Sequence, residues 1–456
     1  LIQSVPFSAE YPISTALRYR TPRERMASHG WPRTMMWVQS NSTFDDPDPE
    51  VVDTYYLLDR AHWYDIVVID AETLADPQAQ SYLGPNGSIR RQNPNTVVLA
   101  QWNLLETPAA FLGPSYSQYV YTQRIYEDLP EIDFLHLANG ERAQFGQGAG
   151  DILNVTRPSL RKYLVQFLTT QLLNTPKIDG VFFDRLDATI SYVGGATVDA
   201  NNDGVTDPAA SLDRSWRAAI VDMLRSVQQG IYGKIVAGNG GWHTTHEYSA
   251  LVHGMMFENF LDGEEQAADY AWAGVMRGAL AYTGPNSFSA IMANRTITPE
   301  TKQADLKLFS LSAASACMVD AYSIVANTSV YTKTPDYWLD EYTVNDAGAA
   351  SPTQLEFKHW LGRPQGPAWL PGASGTPTLP MALAQGTLDV NAYAVLRTFA
   401  RGAVAVNPTE GEITLTKPAY WPTTKEISGG QAAYNDGSTV TSFVLPAKSG
   451  MFYRFF

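Results

Sequence analysis

The sequence is short of cysteine, of basic residues and of long apolar runs, and each shortage removes a class of protein. One cysteine, Cys317, among 456 residues leaves no intramolecular disulfide. It lies in the apolar stretch Leu311–Val319 without a basic neighbour in sequence, so a buried, inert thiol is expected rather than a catalytic thiolate. Lys and Arg total 32 against 46 Asp and Glu, a net charge of −14. That field repels phosphate backbones and argues against nucleic acid or anionic lipid as a partner. No apolar run approaches the ~18–20 residues of a membrane span. GxSxG, Walker and HExxH strings are missing, and Gly146-x-Gly148-x-Gly150 lacks dinucleotide spacing, so no organic cofactor is expected.

What is present points to a large acidic enzyme. The hydrophobic fraction of 45% supplies a sizeable core. Tyr (24) and Trp (11) outnumber Phe (18), a bias toward rings with a polar handle that suits partly wet, sugar-gripping surfaces. The first residue is Leu1 rather than Met; with the acidic, lysine-poor composition this makes a secreted or periplasmic chain, freed of a leader, the expectation. A monomer is expected.

Short β-branched runs alternate with amphipathic stretches, the pattern of parallel α/β folds. Eight runs read as buried strands: Thr34–Val38, Ile66–Asp70, Thr96–Gln101, Phe134–Ala138, Gly180–Asp184, Lys234–Ala237, Met255–Glu258 and Ser287–Met292. Leu160, Leu164, Phe167, Leu168 and Leu172 form one helical stripe; Trp216, Ile220, Met223, Leu224 and Val227 form another. A helix near Thr301–Ala316 would be the eighth. Eight β/α units predict a (β/α)₈ barrel over 31–330, with 1–30 as an extension packing on it. An open doubly wound sheet is the second choice. From about Asp389 period-2 runs separated by Asn407-Pro408, Gly429-Gly430 and Asn435-Asp436-Gly437 predict a C-terminal antiparallel β-sandwich over 389–456. The span 331–388, with five prolines and three glycines in Pro364–Pro380, reads as a connecting segment.

In a parallel barrel the chemistry sits at the C-terminal ends of the strands. Several strands here end in a carboxylate or amide: VVIDAE, VLAQWN, GVFFDRLD, IVAGNGGW and GMMFENF. Carboxylates closing an apolar run are costly unless paired or used, and several around one ring would make a pocket for a neutral polyol. Asp184 and Glu258, each flanked by aromatic residues that would raise a carboxyl pKa, are the candidate catalytic pair for glycosidic cleavage. Asp70, Trp102, Asn139, Asp187, Asn239 and Trp242 are candidates for the sugar subsite, with at most one of Asp70 and Glu72 facing inward. Asp340 and Glu341 are read as structural. One insertion, Asp199-Ala-Asn201-Asn-Asp203-Gly204-Val205-Thr-Asp207, has calcium-loop spacing, with Val205 offering its carbonyl and Ala210 standing where a Glu is usual. A structural Ca²⁺ is expected there, against an Asx-turn loop that needs no ion.

The order of IVVIDAE, VVLAQWN, FLHLANGERAQF, LN-x-TRPSLRKYL, GVFFDRLD, IVAGNGGW and MMFENF resembles bacterial barrels grouped as hypothetical glycosyl hydrolase family 15, relatives of endo-α-1,4-polygalactosaminidase barrels. The likeness continues through WLDEY, HWLGRPQGPA and RTFARGAVAVNP. It implies a hydrolase whose catalytic Asp, at the end of a central strand, and Glu, after a later one, map onto Asp184 and Glu258. Asn259 and Phe260 following the Glu depart from that pattern. Two other readings stay open, a non-catalytic polysaccharide-binding barrel and a Ca²⁺-dependent lyase.

Overall fold

The computed structural model describes residues 20–37, 54–103, 106–107, 120–145, 150–231, 233–240, 246–258, 260–261, 271–284, 287–295, 298, 300–327 and 337–456. Eight strands form one parallel sheet: β1 (Met35–Trp37), β2 (Ile66–Asp70), β3 (Val97–Asn103), β4 (Gly180–Asp184), β5 (Ile235–Asn239), β6 (Gly254–Phe257), β7 (Phe288–Arg295) and β8 (Tyr322–Asn327). A parallel bridge between Thr34 and Ser323 brings the last strand back to the first and closes the barrel. Side chains alternate along each strand. Trp37, Val68, Leu99, Phe182, Ala237, Met256, Ala290 and Ile324 therefore share one interior cluster. Val67, Val98, Val181, Val236, Met255 and Ile291 join the outer cluster beneath the helices. Gly254 faces inward where Phe288 fills the barrel; a Cβ there would stand 2.2 Å from that ring.

One strand differs from the expectation. Phe134–Ala138 is not a barrel strand: His136–Leu137 pairs antiparallel with Val198–Asp199 in a side sheet. The eighth barrel strand is Tyr322–Asn327 instead, so the helix at Lys302–Met318 precedes the last strand rather than following it. The cause is the crossover between β3 and β4, which runs from 104 to 179 and carries small antiparallel pairs of its own. A short apolar run in such an excursion has the same texture as a buried parallel strand.

The helices are α1 (Pro22–Ser28), α2 (Thr54–Arg60), α3 (Ser88–Gln92), α4 (Val120–Asp128), α5 (Pro158–Phe167), α6 (Ala209–Gly230), α7 (Trp272–Ala281), α8 (Lys302–Met318) and α9 (Leu379–Gln385). The two expected stripes bury Leu160, Leu164 and Phe167 on α5, and Trp216, Ile220, Met223, Leu224 and Val227 on α6. Helix α1 closes the N-terminal end of the barrel. Its capping box (Thr21 with Glu24) starts it, and Met26 enters the interior cluster. Arg25 pairs with buried Asp179, the residue before β4, which Arg90 also holds at 2.6 Å.

After the barrel, β9 (Val395–Phe399), β10 (Gly402–Asn407), β12 (Thr424–Glu426) and β14 (Ser449–Phe455) make a four-stranded antiparallel sheet in the order β9-β10-β14-β12. The pair β11 (Ile413–Thr416) and β13 (Ser442–Leu445) covers one face, around Trp421, Phe443 and Tyr453. Val404 and Val406 on the other face join the barrel's outer cluster, which is why β10 is buried on both sides. Arg397 chelates both Asp320 oxygens at 2.9 Å, and Glu341 accepts from Ser310 of α8 at 2.8 Å and from Asn435 at 3.0 Å. Asp340 accepts from the Gln431 backbone at 2.9 Å, so both acids of the WLDEY segment hold the C-terminal sheet. The Pro/Gly-rich stretch is packed rather than a bare tether: Ala368, Leu370 and Leu379 are fully buried, and Trp369 bridges to Leu396. Cys317 is buried, and burial pushes its thiol up to about 12.

Candidate active site

The barrel's polar mouth follows from alternation. Val68, Leu99, Phe182 and Ala237 point inward, so Asp70, Gln101, Asp184 and Asn239, two residues further on, point inward at the C-terminal end. Glu258 follows Met256 in the same way.

Asn239 is the centre of the arrangement. Its Nδ2 donates to Asp184 Oδ1 at 3.1 Å and to Glu258 Oε2 at 2.8 Å, so one amide holds both carboxylates. Asp184 Oδ1 also accepts from the Arg185 backbone at 3.0 Å, and Oδ2 from Gln101 Nε2 at 3.4 Å. Gln101 is oriented in turn by Trp37 Nε1, which donates to its Oε1 at 2.7 Å. Burial raises the pKa of both carboxyls; the charge of Asp184 raises Glu258 further, while Asn239 and Arg185 pull both down.

The subsite candidates divide. Asn239 and Asp70 lie at the mouth. Asp70 caps the turn at Glu72, accepting from its N–H at 2.9 Å, and burial raises its carboxyl to about 6. Glu72 faces away and accepts from Tyr121 and Thr122 at the start of α4. Asp187 is buried three residues beyond Asp184, accepting from Tyr192 Oη at 3.2 Å, with its carbonyl on Trp216 Nε1. Trp102 is not a mouth residue. It packs edge-on against Phe167 of α5, 4.9 Å between centroids, because the residue between two inward-facing amides must face the helices. Asn139 is not at the mouth either: it is exposed in the crossover and closes a turn with Glu141. Trp242 lies outside the described residues. The polar residues missed from sequence, Gln101 and Trp37, carry a signal in the alternation of VVLAQWN, where Gln101 shares the face of Leu99.

The acidic loop closes on itself. Asp199 accepts from Asn202, Asp203 and Gly204, Asp203 from Val205, and Asp207 from Ala200, while Asn201 accepts from Asp203. Gly204 takes the left-handed backbone (φ +82°) that position six of such a loop requires. Among the described residues no three acidic, imidazole or thiol groups converge to hold a metal ion. The loop's carboxylates are engaged with its own backbone N–H groups.

The model of hypothetical glycosyl hydrolase family 15 matches residues 90–403, which takes in every barrel strand from β3 to β8. The chain belongs to that family. It is thus a glycoside hydrolase of the barrel type, as the strand-end carboxylates suggest. No curated protein matches the sequence. Among solved structures, an inactive double mutant of the trehalulose synthase MutB is similar at a TM-score of 0.51 and 11% identity, over 94% of this chain and 99% of that one. The α-amylase of Geobacillus thermoleovorans has a TM-score of 0.46 at 10% identity over 96% and 99%. The glycoside hydrolase domain of PelA from Pseudomonas aeruginosa has 0.41 at 14% identity over 68% and 98%. At such identities the likeness to MutB speaks to the barrel fold alone. No helix among the described residues is long and apolar enough to cross a membrane.

Proposed function

We propose that this family 15 barrel hydrolyses a poly- or oligosaccharide with retention of anomeric configuration, Asp184 acting as nucleophile and Glu258 as acid and then base. The observation that supports this most is the shared amide. With each carboxyl taking one of the two hydrogens of a planar amide, which diverge by about 120°, the Asp184 and Glu258 oxygens would stand about 5 Å apart. Retaining enzymes place their carboxyls roughly 5–5.5 Å apart, whereas inverting ones leave ~6.5–9.5 Å for a water. Asp184 has three donors to steady its negative form, while Glu258 is buried beside that charge and stays protonated more readily. Asp184 would attack the anomeric carbon as Glu258 protonates the leaving oxygen. Glu258 would then take a proton from the water that releases the sugar from Asp184.

The test uses three hexasaccharides: maltohexaose, an α-1,4-linked galactosamine hexamer and an α-1,4-linked galacturonate hexamer. Proton NMR of the first-formed reducing end should show the configuration of the cleaved bond. Inverted product would overturn retention, and an ultraviolet-absorbing unsaturated product would point to a lyase. Glu258→Gln should lower kcat by roughly 10²–10⁴-fold, and Asp184→Asn should abolish turnover. Undiminished cleavage in either variant would sink the pair; binding without cleavage by the parent protein would leave a binding barrel. Calcium at the Asp199–Asp207 loop remains a proposal that rests on spacing alone.

A further inference from the structure

The residue after Asp184 combines three features that a structural role does not explain. Arg185 has φ +60°, in the left-handed region that a residue with a Cβ avoids and glycine accepts. Its side chain is exposed at the barrel mouth. Its guanidinium does not settle on the neighbouring carboxylates: Cζ lies 4.5 Å from the centre of the Phe145 ring, and among the described residues Arg185 forms no ion pair, although both Asp184 and Glu258 feel its charge. Stacking occupies the flat face of a guanidinium and leaves its N–H edge open. A glycine would make the same turn with less strain and still offer its backbone N–H to Asp184. Backbone strain kept beside a reacting group points to use of the side chain that imposes it.

We propose that Arg185 is a substrate-binding residue. Propped on Phe145, it would present its N–H edge to a pair of adjacent acceptor oxygens on the sugar beside the cleaved bond. Such a pair is offered by the vicinal hydroxyls of a neutral sugar or by the carboxylate of an acidic one; an ammonium-bearing sugar gains nothing from it. The amides of Gln101 and Asn239 are engaged with the catalytic carboxylates. A planar two-pronged donor at the rim therefore supplies something the interior does not. The overall charge of −14 does not exclude an acidic ligand, because at ~0.15 M salt exposed charges are screened beyond about 8 Å.

This inference rests on Asp184 and Glu258 being the reacting pair, and the same three hexamers separate the two claims. Arg185→Gly should fold with an unchanged or higher Tm. On the hexamer the parent protein cleaves it should raise KM about tenfold or more, with kcat at the pH optimum within about threefold and the acid limb moved only slightly to higher pH, as the charge that lowers both carboxyls is lost. Arg185→Lys, which keeps the charge but loses the fork, should recover less than half of the loss in binding energy. A KM effect confined to the galacturonate hexamer identifies the carboxylate, and one on maltohexaose identifies the hydroxyl pair. An unchanged KM overturns the proposal, as does a kcat at the pH optimum that falls by more than KM rises, which would make Arg185 an electrostatic partner of Asp184. If the protein binds a hexamer without cleaving it, the dissociation constant replaces KM and is read the same way. Loss of cleavage in Asp184→Asn with no effect in Arg185→Gly refutes this inference alone. Survival of cleavage in Asp184→Asn refutes the site itself, and neither cleavage nor binding of any hexamer overturns both.

Discussion

Asn239 ties the two candidate carboxylates together, which makes it the most exposed point of the mechanism. Removing its amide takes a hydrogen-bond donor from each carboxyl at once, and that donor lowers the pKa of both. Asn239→Ala should lower kcat by about 10²-fold. The acid limb of the pH–rate profile should move to higher pH, because Asp184 must lose its proton to act as a nucleophile and would now hold it more tightly. A profile that stays in place would mean that the amide only positions the chain. At this scale sequence reading brought out strand ends that meet at the mouth, where a carboxylate or amide closes an apolar run, as at Asp184, Asn239 and Glu258. It failed by one residue at Trp102. Gln101, Trp102 and Asn103 all sit at the end of one run, and only the register of β3 decides which faces the mouth.

Among the elements, α1 and the strands it covers depend on a buried charge cluster. Asp179 sits between Arg25 and Arg90 with side-chain exposures of 6%, 5% and 10%, so neither arginine has water to fall back on. Asp179→Ala would leave both uncompensated and should destabilise the protein by roughly 3–5 kcal/mol, read as a drop in chemical-denaturation stability. A loss within experimental error would show that the arginines find water in the folded state. The Asp199–Asp207 loop makes the opposite case. Its side chains already satisfy its backbone N–H groups; if the loop takes the proposed calcium, adding the ion should raise the Tm and EDTA should reverse the rise, and an unmoved Tm would overturn that site. Strand identity showed the limits of periodicity. Phe134–Ala138 and Tyr322–Asn327 are similar short apolar runs, and nothing local reveals that the first lies in a crossover and pairs antiparallel with Val198–Asp199 while the second closes the barrel.

For the whole molecule, the junction of barrel and C-terminal sheet is a close backbone approach. Gly450 of β14 lies against α8 so tightly that a Cβ would stand 2.4 Å from the Ser310 carbonyl and 2.5 Å from Ala314 Cβ. Gly450→Ala should cost about 1–3 kcal/mol by overpacking, seen as a lower Tm, and an unaltered Tm would show that the sheet can shift on α8. The β10 strand, an unbroken apolar run GAVAV buried on both faces, is the other mark of this junction. The sequence by itself determined the class of fold, the helical stripes, the inert cysteine and the polar strand ends. Each of these rests on local periodicity or on the cost of placing one polar group after a run of apolar ones. Only the tertiary structure decided which strand closes the ring, that Asn239 joins Asp184 to Glu258, and that Arg185 stands apart from them on Phe145. Those facts depend on the angular position of separate strands around a closed barrel, and residues 55 positions apart in the chain meet only when that closure fixes them.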